Sequence, residues 1–337
     1  MKKSSAKLLV ASLALCLLGA AAAGETEIPQ RPAGYANKPV TIVCPFAPGG
    51  ATDNAMRALQ PILSRLGVET VVNNVAGSRS VVGAMEAINA TPDGYTVSTI
   101  GSSFASAWAE GMMEFSWDDV TFITCPTMDS SGYFVQADAP WKDGKELIEW
   151  IIAHPGEFTV GGTQESHNLM LSDALKEQLG GKDAITPLNF GGAARPITEL
   201  LGGHIMGVGA KPADLISHIR SGLIRPILWF GGEDKEPFFE NVQSFNDLPY
   251  GKVVPIGDPA ASATIMIAAK GLKPEVAEYL QTVFRMAVAS DEFQTYAKNA
   301  GSIAKPLTPE ECLEVGKKLF DIRYREALAA GLAEERE

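Results

Sequence analysis

The chain has 337 residues, 46% of them apolar and 20% charged, which excludes a disordered protein and exceeds one typical domain, so two lobes are expected. Its 28 basic residues face 40 acidic ones, a net charge of −12. So acidic a body repels nucleic acid and anionic lipid surfaces, and any anionic ligand must be held by local N–H groups and local cations.

Residues 1–23 read as a secretory signal. Lys2, Lys3 and Lys7 precede the apolar run 8–18, and the alanines at 20–23 supply the small residues of a cleavage site. Leu15 stands where a lipoprotein signal would need a small residue, so Cys16 is not read as a lipid anchor. Export with a mature start near Gly24 removes three lysines and no acids, taking the charge from −12 to −15. Cys44, Cys125 and Cys312 then remain, an odd number without C-x-x-C spacing. Buried free thiols are expected, and a Cys44–Cys125 bridge is the alternative.

Residues 40–43 form a short apolar run that reads as a buried strand. Pro45 and Pro48 end it, Gly49 and Gly50 allow a tight turn, and Thr52 or Asp53 is expected to cap a helix. Ala55, Met56, Leu59, Ile62, Leu63 and Leu66 recur at helical spacing, and Pro61 should kink or break that helix. A strand, a glycine turn and a helix start aim several backbone N–H groups at one point, which suits an anion; an ordinary βα turn carries the same signature.

A second strand is expected over 69–74, followed by Gly77-Ser78-Arg79-Ser80 and a helix through Ala90. Thr91-Pro-Asp-Gly-Tyr95 is a turn, and the strand 96–100 ends in Gly101-Ser102-Ser103, whose hydroxyls and N–H groups suit a carboxylate. Trp108, Phe115 and Trp117, with Met112 and Met113, read as packing rather than as an aromatic-ligand pocket. Strands follow at 120–125 and 133–136, then a helix over 146–153 stopped by His154-Pro-Gly156. After the strand 158–160, the loop 161–168 opens a helix over 169–179. The strand 186–189, the turn 190–194 and the helix 196–201 repeat the pattern. A strand over 205–208, a helix over 215–220 and a strand over 224–230 come next. The chain closes with a strand over 265–268 and helices over 273–289, 292–300 and 308–328, the last opened by Thr308 with acids in its first turn.

This alternation argues for parallel α/β sheets. Residues 133–230 read as a lobe inserted into the first, so two crossings join the lobes, as in a receptor that closes on a hinge. Motifs of catalysis are missing: no G-x-S-x-G, no H-E-x-x-H, no metal-spaced cysteines, no P-loop and no G-x-G-x-x-G occur. His154 and His218 lie in helix-end and helix contexts that suit packing or solvation. The reading is a protein that is not an enzyme and uses neither cofactor nor metal.

Pro45-Phe-Ala-Pro-Gly-Gly-Ala-Thr-Asp53, Pro92-Asp-Gly-Tyr-Thr96, Leu200-Leu-Gly-Gly-His204 and the stretch 239–250 occur in an order that resembles the Bug family, the solute receptors of tripartite tricarboxylate transporters. The resemblance covers nearly all of the chain after the signal. It implies a type II periplasmic binding protein, with one lobe over 35–130 and 251–337 and an inserted lobe over 131–250. It also implies a monomer in the periplasm that closes on a small organic carboxylate and delivers it to the membrane components of that transporter. The site set so implied takes Pro48, Gly49, Gly50, Ala51, Thr52 and Asp53 from the first loop and Gly101, Ser102 and Ser103 from the second. The inserted lobe contributes Thr163, Gln164, Ser166 and His167, then Gly191, Gly192 and Ala193. Arg79 and Lys211 join the set as cations that depart from the family pattern: Arg79-Ser80 replaces a glycine pair, and Ala210-Lys211 replaces Asp-Asn. Gln164-Glu165 and Phe190, in place of a tyrosine, are further departures. Two other classes fit the same residues: a receptor subunit reporting ligand to a signalling protein, and a hydrolase or isomerase using His167.

Overall fold

The structure is a computed structural model that describes residues 28–129, 131–162, 179, 183–190, 194–230, 239–249, 259–329 and 331–335. The expected signal 1–23 therefore lies outside the described residues, as do most of the loop and helix expected over 161–179.

Apolar runs decide where the strands go. β1 (Val40–Cys44), β3 (Thr96–Ile100) and β10 (Ala263–Ala269) are buried almost throughout and occupy the middle of the first sheet. β2 (Thr70–Asn74), whose residues alternate between partly buried and exposed, forms one edge. With β4 (Val120–Met128) and β11 (Ala304–Lys305), the order is β11-β4-β10-β3-β1-β2. The second sheet holds β5 (Gly132–Gln136), β6 (Phe158–Gly162), β7 (Ile185–Asn189), β8 (Gly207–Ala210) and β9 (Ile224–Trp229), in the order β7-β6-β8-β5-β9.

Both sheets are mixed, which corrects the expectation of purely parallel ones. β1 runs parallel to β2 and β3, and β6 runs parallel to β7 and β8. β10 is antiparallel to β3 and β4, and β5 is antiparallel to β8 and β9. β11 is likewise antiparallel to β4. Of these reversed strands, β5 and β10 lie where the chain changes sheet, with no crossover helix before them among the described residues, so each enters its sheet from the far end.

Period-two alternation on these strands serves two helical layers at once. Met266 and Ala268 of β10 face α1 (Ala51–Arg65), α7 (Pro274–Ala289) and α8 (Asp291–Ala300), joining Met56, Leu59, Leu280 and Phe284. Ile265 and Ile267 face the opposite way, toward α2 (Val81–Ile88), α3 (Ser102–Ala109) and α9 (Pro309–Ala329). In the second sheet Tyr133 and Val135 pack with α4 (Gly144–Ala153). Phe134 packs with α5 (Ala194–Leu201) and α6 (Pro212–Arg220).

Several local expectations are realised in detail. Thr308 caps α9 reciprocally: its Oγ1 accepts from the Glu311 N–H at 3.2 Å, and Glu311 accepts from the Thr308 N–H at 2.8 Å. Trp108 packs edge-on against Phe115 and Trp117 with centroids 4.9 and 5.1 Å away, and lies 3.9 Å from Phe320 of α9. The aromatic group is therefore a packed seam between α3 and α9. Pro61 does not break α1, which continues to Arg65; its ring is exposed while Leu59, Ile62 and Leu63 hold the helix to the sheet. α3 itself was not anticipated as a helix.

A Cys44–Cys125 bridge is excluded by topology. β1 and β4 are three strand spacings apart, roughly 14 Å at about 4.8 Å per spacing, beyond the reach of a disulfide. Cys44, Cys125 and Cys312 are free, buried thiols, and burial pushes Cys44 up to about 11 and Cys312 up to about 12.

Candidate ligand-binding site

The chain between β1 and α1 is shaped by one buried carboxylate. Gly49 takes φ +88°, Gly50 is the extended N-cap, and α1 begins at Ala51 with no side-chain cap. Thr52 and Asp53 are thus in the first turn, which corrects the expectation that one of them caps it. Asp53, 2% exposed, instead turns back and accepts from the Gly49 N–H at 2.8 Å, Arg57 Nε at 3.0 Å and Asn74 Nδ2 at 2.9 Å. Asn74 also donates to the Phe46 carbonyl, so Asp53 and Asn74 together pin the residues 46–49 onto the end of β2. Burial pushes the Asp53 carboxyl up, but Arg57, the Gly49 N–H and Asn74 outweigh it and hold the group below the ordinary range.

The start of α3 lies beside the start of α1, because β1 and β3 are adjacent and parallel and each helix follows its strand. Gly101 is the N-cap in extended geometry, and Ser102 and Ser103 form the first turn, partly buried and with no side-chain cap on the helix. A Cβ at Gly101 would stand 2.9 Å from the Ala263 carbonyl, so glycine permits β10 to pass this close.

Arg79 lies between these two helix starts in sequence and is paired with Glu110, at the end of α3, 2.5 Å away. Ser78, Arg79 and Ser80 have φ of +42°, +53° and +68°, a left-handed run that glycine enters without cost and other residues do not. The glycine pair expected there from the resemblance therefore has a backbone reason.

From the second lobe, α6 brings two charged residues against the first. Lys211, its N-cap, places Nζ 2.8 Å from Asp129 Oδ2 and 3.1 Å from the Ser262 carbonyl. Asp129 follows β4 and Ser262 precedes β10, so Lys211 ties together both stretches where the chain changes sheet. Asp214, in the first turn of α6, accepts from the Ala51 N–H of α1 at 3.0 Å. Burial pushes the Asp214 carboxyl up, opposed by the Ala51 hydrogen bond and the Lys211 charge.

The site residues read from sequence thus divide. Pro48, Gly49, Gly50, Ala51, Thr52, Asp53, Gly101, Ser102 and Ser103 gather at the carboxyl ends of β1 and β3, where Asp214 of α6 reaches the Ala51 N–H, while Lys211 turns to Asp129 and Ser262. Arg79 lies on the α3 side with Glu110. Thr163, Gln164, Ser166, His167, Gly191, Gly192 and Ala193 lie outside the described residues; they follow the carboxyl ends of β6 and β7. Asp129, Asp214 and Glu110 were missed. Asp214 looks like an ordinary acid in a first helical turn, and Asp129 follows a strand, so neither has a local signal of burial.

A family profile described as the tripartite tricarboxylate transporter family receptor matches residues 55–306, well over half of the chain. A Cupriavidus necator protein, "UPF0065 protein in gbd 5'region", is 28% identical over 260 residues, covering 75% of this chain and 76% of its own. Among solved structures, MatC from Rhodopseudomonas palustris with bound malate has a TM-score of 0.68 at 19% identity, covering 85% of this chain and 98% of that one. R. palustris Rpa4515 with adipate has a TM-score of 0.73 at 19% identity, covering 88% and 98%. Likeness of this degree establishes the shared two-lobe α/β fold.

Proposed function

The chain belongs to the tripartite tricarboxylate transporter receptor family, and from that premise we propose that it is a periplasmic protein that binds a small organic carboxylate between its lobes and hands it to the transporter's membrane components. The observation that carries this reading is the side-by-side placement of the starts of α1 and α3, with α6 facing them from the other lobe. Backbone N–H groups at helix starts favour negative charge, and hydrogen bonds to a carboxylate are stronger than neutral ones.

In this reading the first lobe spans 35–130 and 251–337, and the inserted lobe spans 131–250. Gly50, Thr52, Ser102 and Ser103 hold one carboxylate, and the loops at 163–167 and 191–193 close over the rest of the ligand. A dicarboxylate fits best, since malate and adipate are what the two R. palustris proteins were solved with. Contacts from both lobes stabilise the closed arrangement over the open one, and closure is what the membrane partner reads. The reading includes export by the signal 1–23, a monomeric state, and binding without turnover, metal or cofactor.

A thermal-shift screen of malate, adipate and other organic acids tests it. A bound acid at a hundred times its dissociation constant should stabilise folding by about 2.7 kcal/mol. Mass spectrometry should then recover that acid unchanged after incubation. A shift with sugars or amines and none with acids would overturn the carboxylate reading, and conversion of the acid would overturn binding without turnover.

A further inference from the structure

Two backbone N–H groups around the start of α1 already face carboxylates of the chain itself. Gly49 donates to Asp53, a contact internal to the first lobe. Ala51 donates to Asp214 at 3.0 Å, and that contact joins the lobes, because Asp214 belongs to α6. The same helix is anchored at its first residue by Lys211, through Asp129 and the Ser262 carbonyl. At its far end Arg220 donates to the Asn299 carbonyl of α8. Asp129 is 2% exposed and its Oδ1 has no hydrogen-bond partner among the described residues, so the arrangement leaves a buried acceptor unmatched.

We propose that Asp214 is a built-in occupant of the carboxylate seat at the start of α1: without ligand it bridges the two lobes there, and a ligand carboxylate must displace it. This deepens the carboxylate-receptor reading above and rests on it for the identity of the competitor. A single N–H makes one strong hydrogen bond, and a second carboxylate beside Asp214 would meet a like charge at short range. Sharing is therefore unfavourable, and displacement is the alternative. An internal competitor lowers the apparent affinity by the fraction of protein it holds, so the ligand must offer more than one contact to win. A dicarboxylate gripping both lobes does so, whereas a weak monoacid does not.

Small-angle scattering of ligand-free protein, stripped by unfolding and refolding, tests the bridge without needing a ligand. Two variants break it from opposite sides. Asp214→Ala removes the acceptor. Ala51→Pro removes the donor at the first position of α1, where proline is well accommodated and the preceding Gly50 is already extended (φ −77°, ψ 172°). Both variants should show a larger radius of gyration than the wild type, and an unchanged radius in both overturns the proposal. A cooperative thermal transition certifies that each is folded; if Asp214→Ala is not, Ala51→Pro alone decides. Titration with malate and adipate separates this inference from the functional one. Asp214→Ala should bind the acid about tenfold tighter, the factor corresponding to 1.4 kcal/mol of relieved competition, while Ala51→Pro should bind it more weakly because the donor is gone. Weaker binding by Asp214→Ala overturns displacement. Failure of both acids to bind the wild type counts against the carboxylate reading, and the scattering comparison then stands as the test of the bridge.

Discussion

Lys211 and Asp129 form an ion pair 2.8 Å apart, almost sealed from solvent, that joins the start of α6 to the end of β4. Two charges leave water to make it, so the pair is worth little in net stability against an apolar replacement, but losing one partner strands the other. Lys211→Met should cost about 3–5 kcal/mol in urea unfolding at neutral pH, the range for breaking a buried pair. The double variant Lys211→Met with Asp129→Asn should recover a good part of it, since neither member of the pair is left as an unpaired charge. A loss below about 1 kcal/mol for the single change would mean that water screens the pair.

Asp53 holds the Pro45–Gly50 turn through Gly49, Arg57 and Asn74, so its removal should be felt in stability and in the site together. Asp53→Ala should cost about 2–3 kcal/mol at pH 7, less than a fully buried pair because Arg57 is 45% exposed. The pH dependence follows from a folded pKa lying below the unfolded value of about 3.9. The contribution of Asp53 is complete above the unfolded pKa and is lost as pH falls through the folded one. The difference between wild type and variant should therefore be constant from neutrality down to about pH 5 and shrink below about pH 4, which acid titrations of the unfolding midpoint would show.

Ser80 combines two unfavourable features, a left-handed backbone at φ +68° and a buried hydroxyl with no partner among the described residues. Ser80→Gly relieves both, at the expense of a more flexible unfolded chain. The balance should favour the variant by about 0.5–1 kcal/mol in thermal unfolding. Destabilisation would show that the hydroxyl is needed by a bound molecule or that the turn is held by its neighbours.

Gly83 sits where α2 touches the turns after β1 and β2. An added Cβ would lie 2.5 Å from the Val75 carbonyl and 2.9 Å from the Pro45 Cα, both backbone, so nothing flexible can yield. Gly83→Ala should cost about 1–3 kcal/mol, the usual range for overpacking, and should weaken acid binding because Pro45 opens the turn that leads to α1. Unaltered stability would mean that α2 shifts freely.

Arg79 and Lys211 show how partners change a reading. Both stand after strands, where a ligand would be, and both looked like cations open to a carboxylate. In the folded chain Lys211 is enclosed with Asp129, and Arg79 is paired with Glu110. Asp129 is 82 residues from Lys211 and Glu110 is 31 from Arg79, so neither pairing leaves a trace in a local window. The capping residue of α1 was misread for a related reason: Asp53 has the right composition for a cap, but Asn74 of β2 and Arg57 draw it into the turn as a brace.

Sequence by itself determined the periodic elements and the strand ends at which the candidate site is placed. Apolar runs and their spacing located the strands and most of the helices, because burial of one face is a local pattern. The glycine turns after the strand runs 40–43 and 96–100 marked the carboxyl ends where helix starts gather. Tertiary structure alone decided strand direction and charge pairing. An apolar strand reads the same in either direction, so the reversal of β5 and β10 appears only in their ladders. Coulomb attraction depends on distance in space, and only folding brings Asp214 to the Ala51 N–H, 163 residues away.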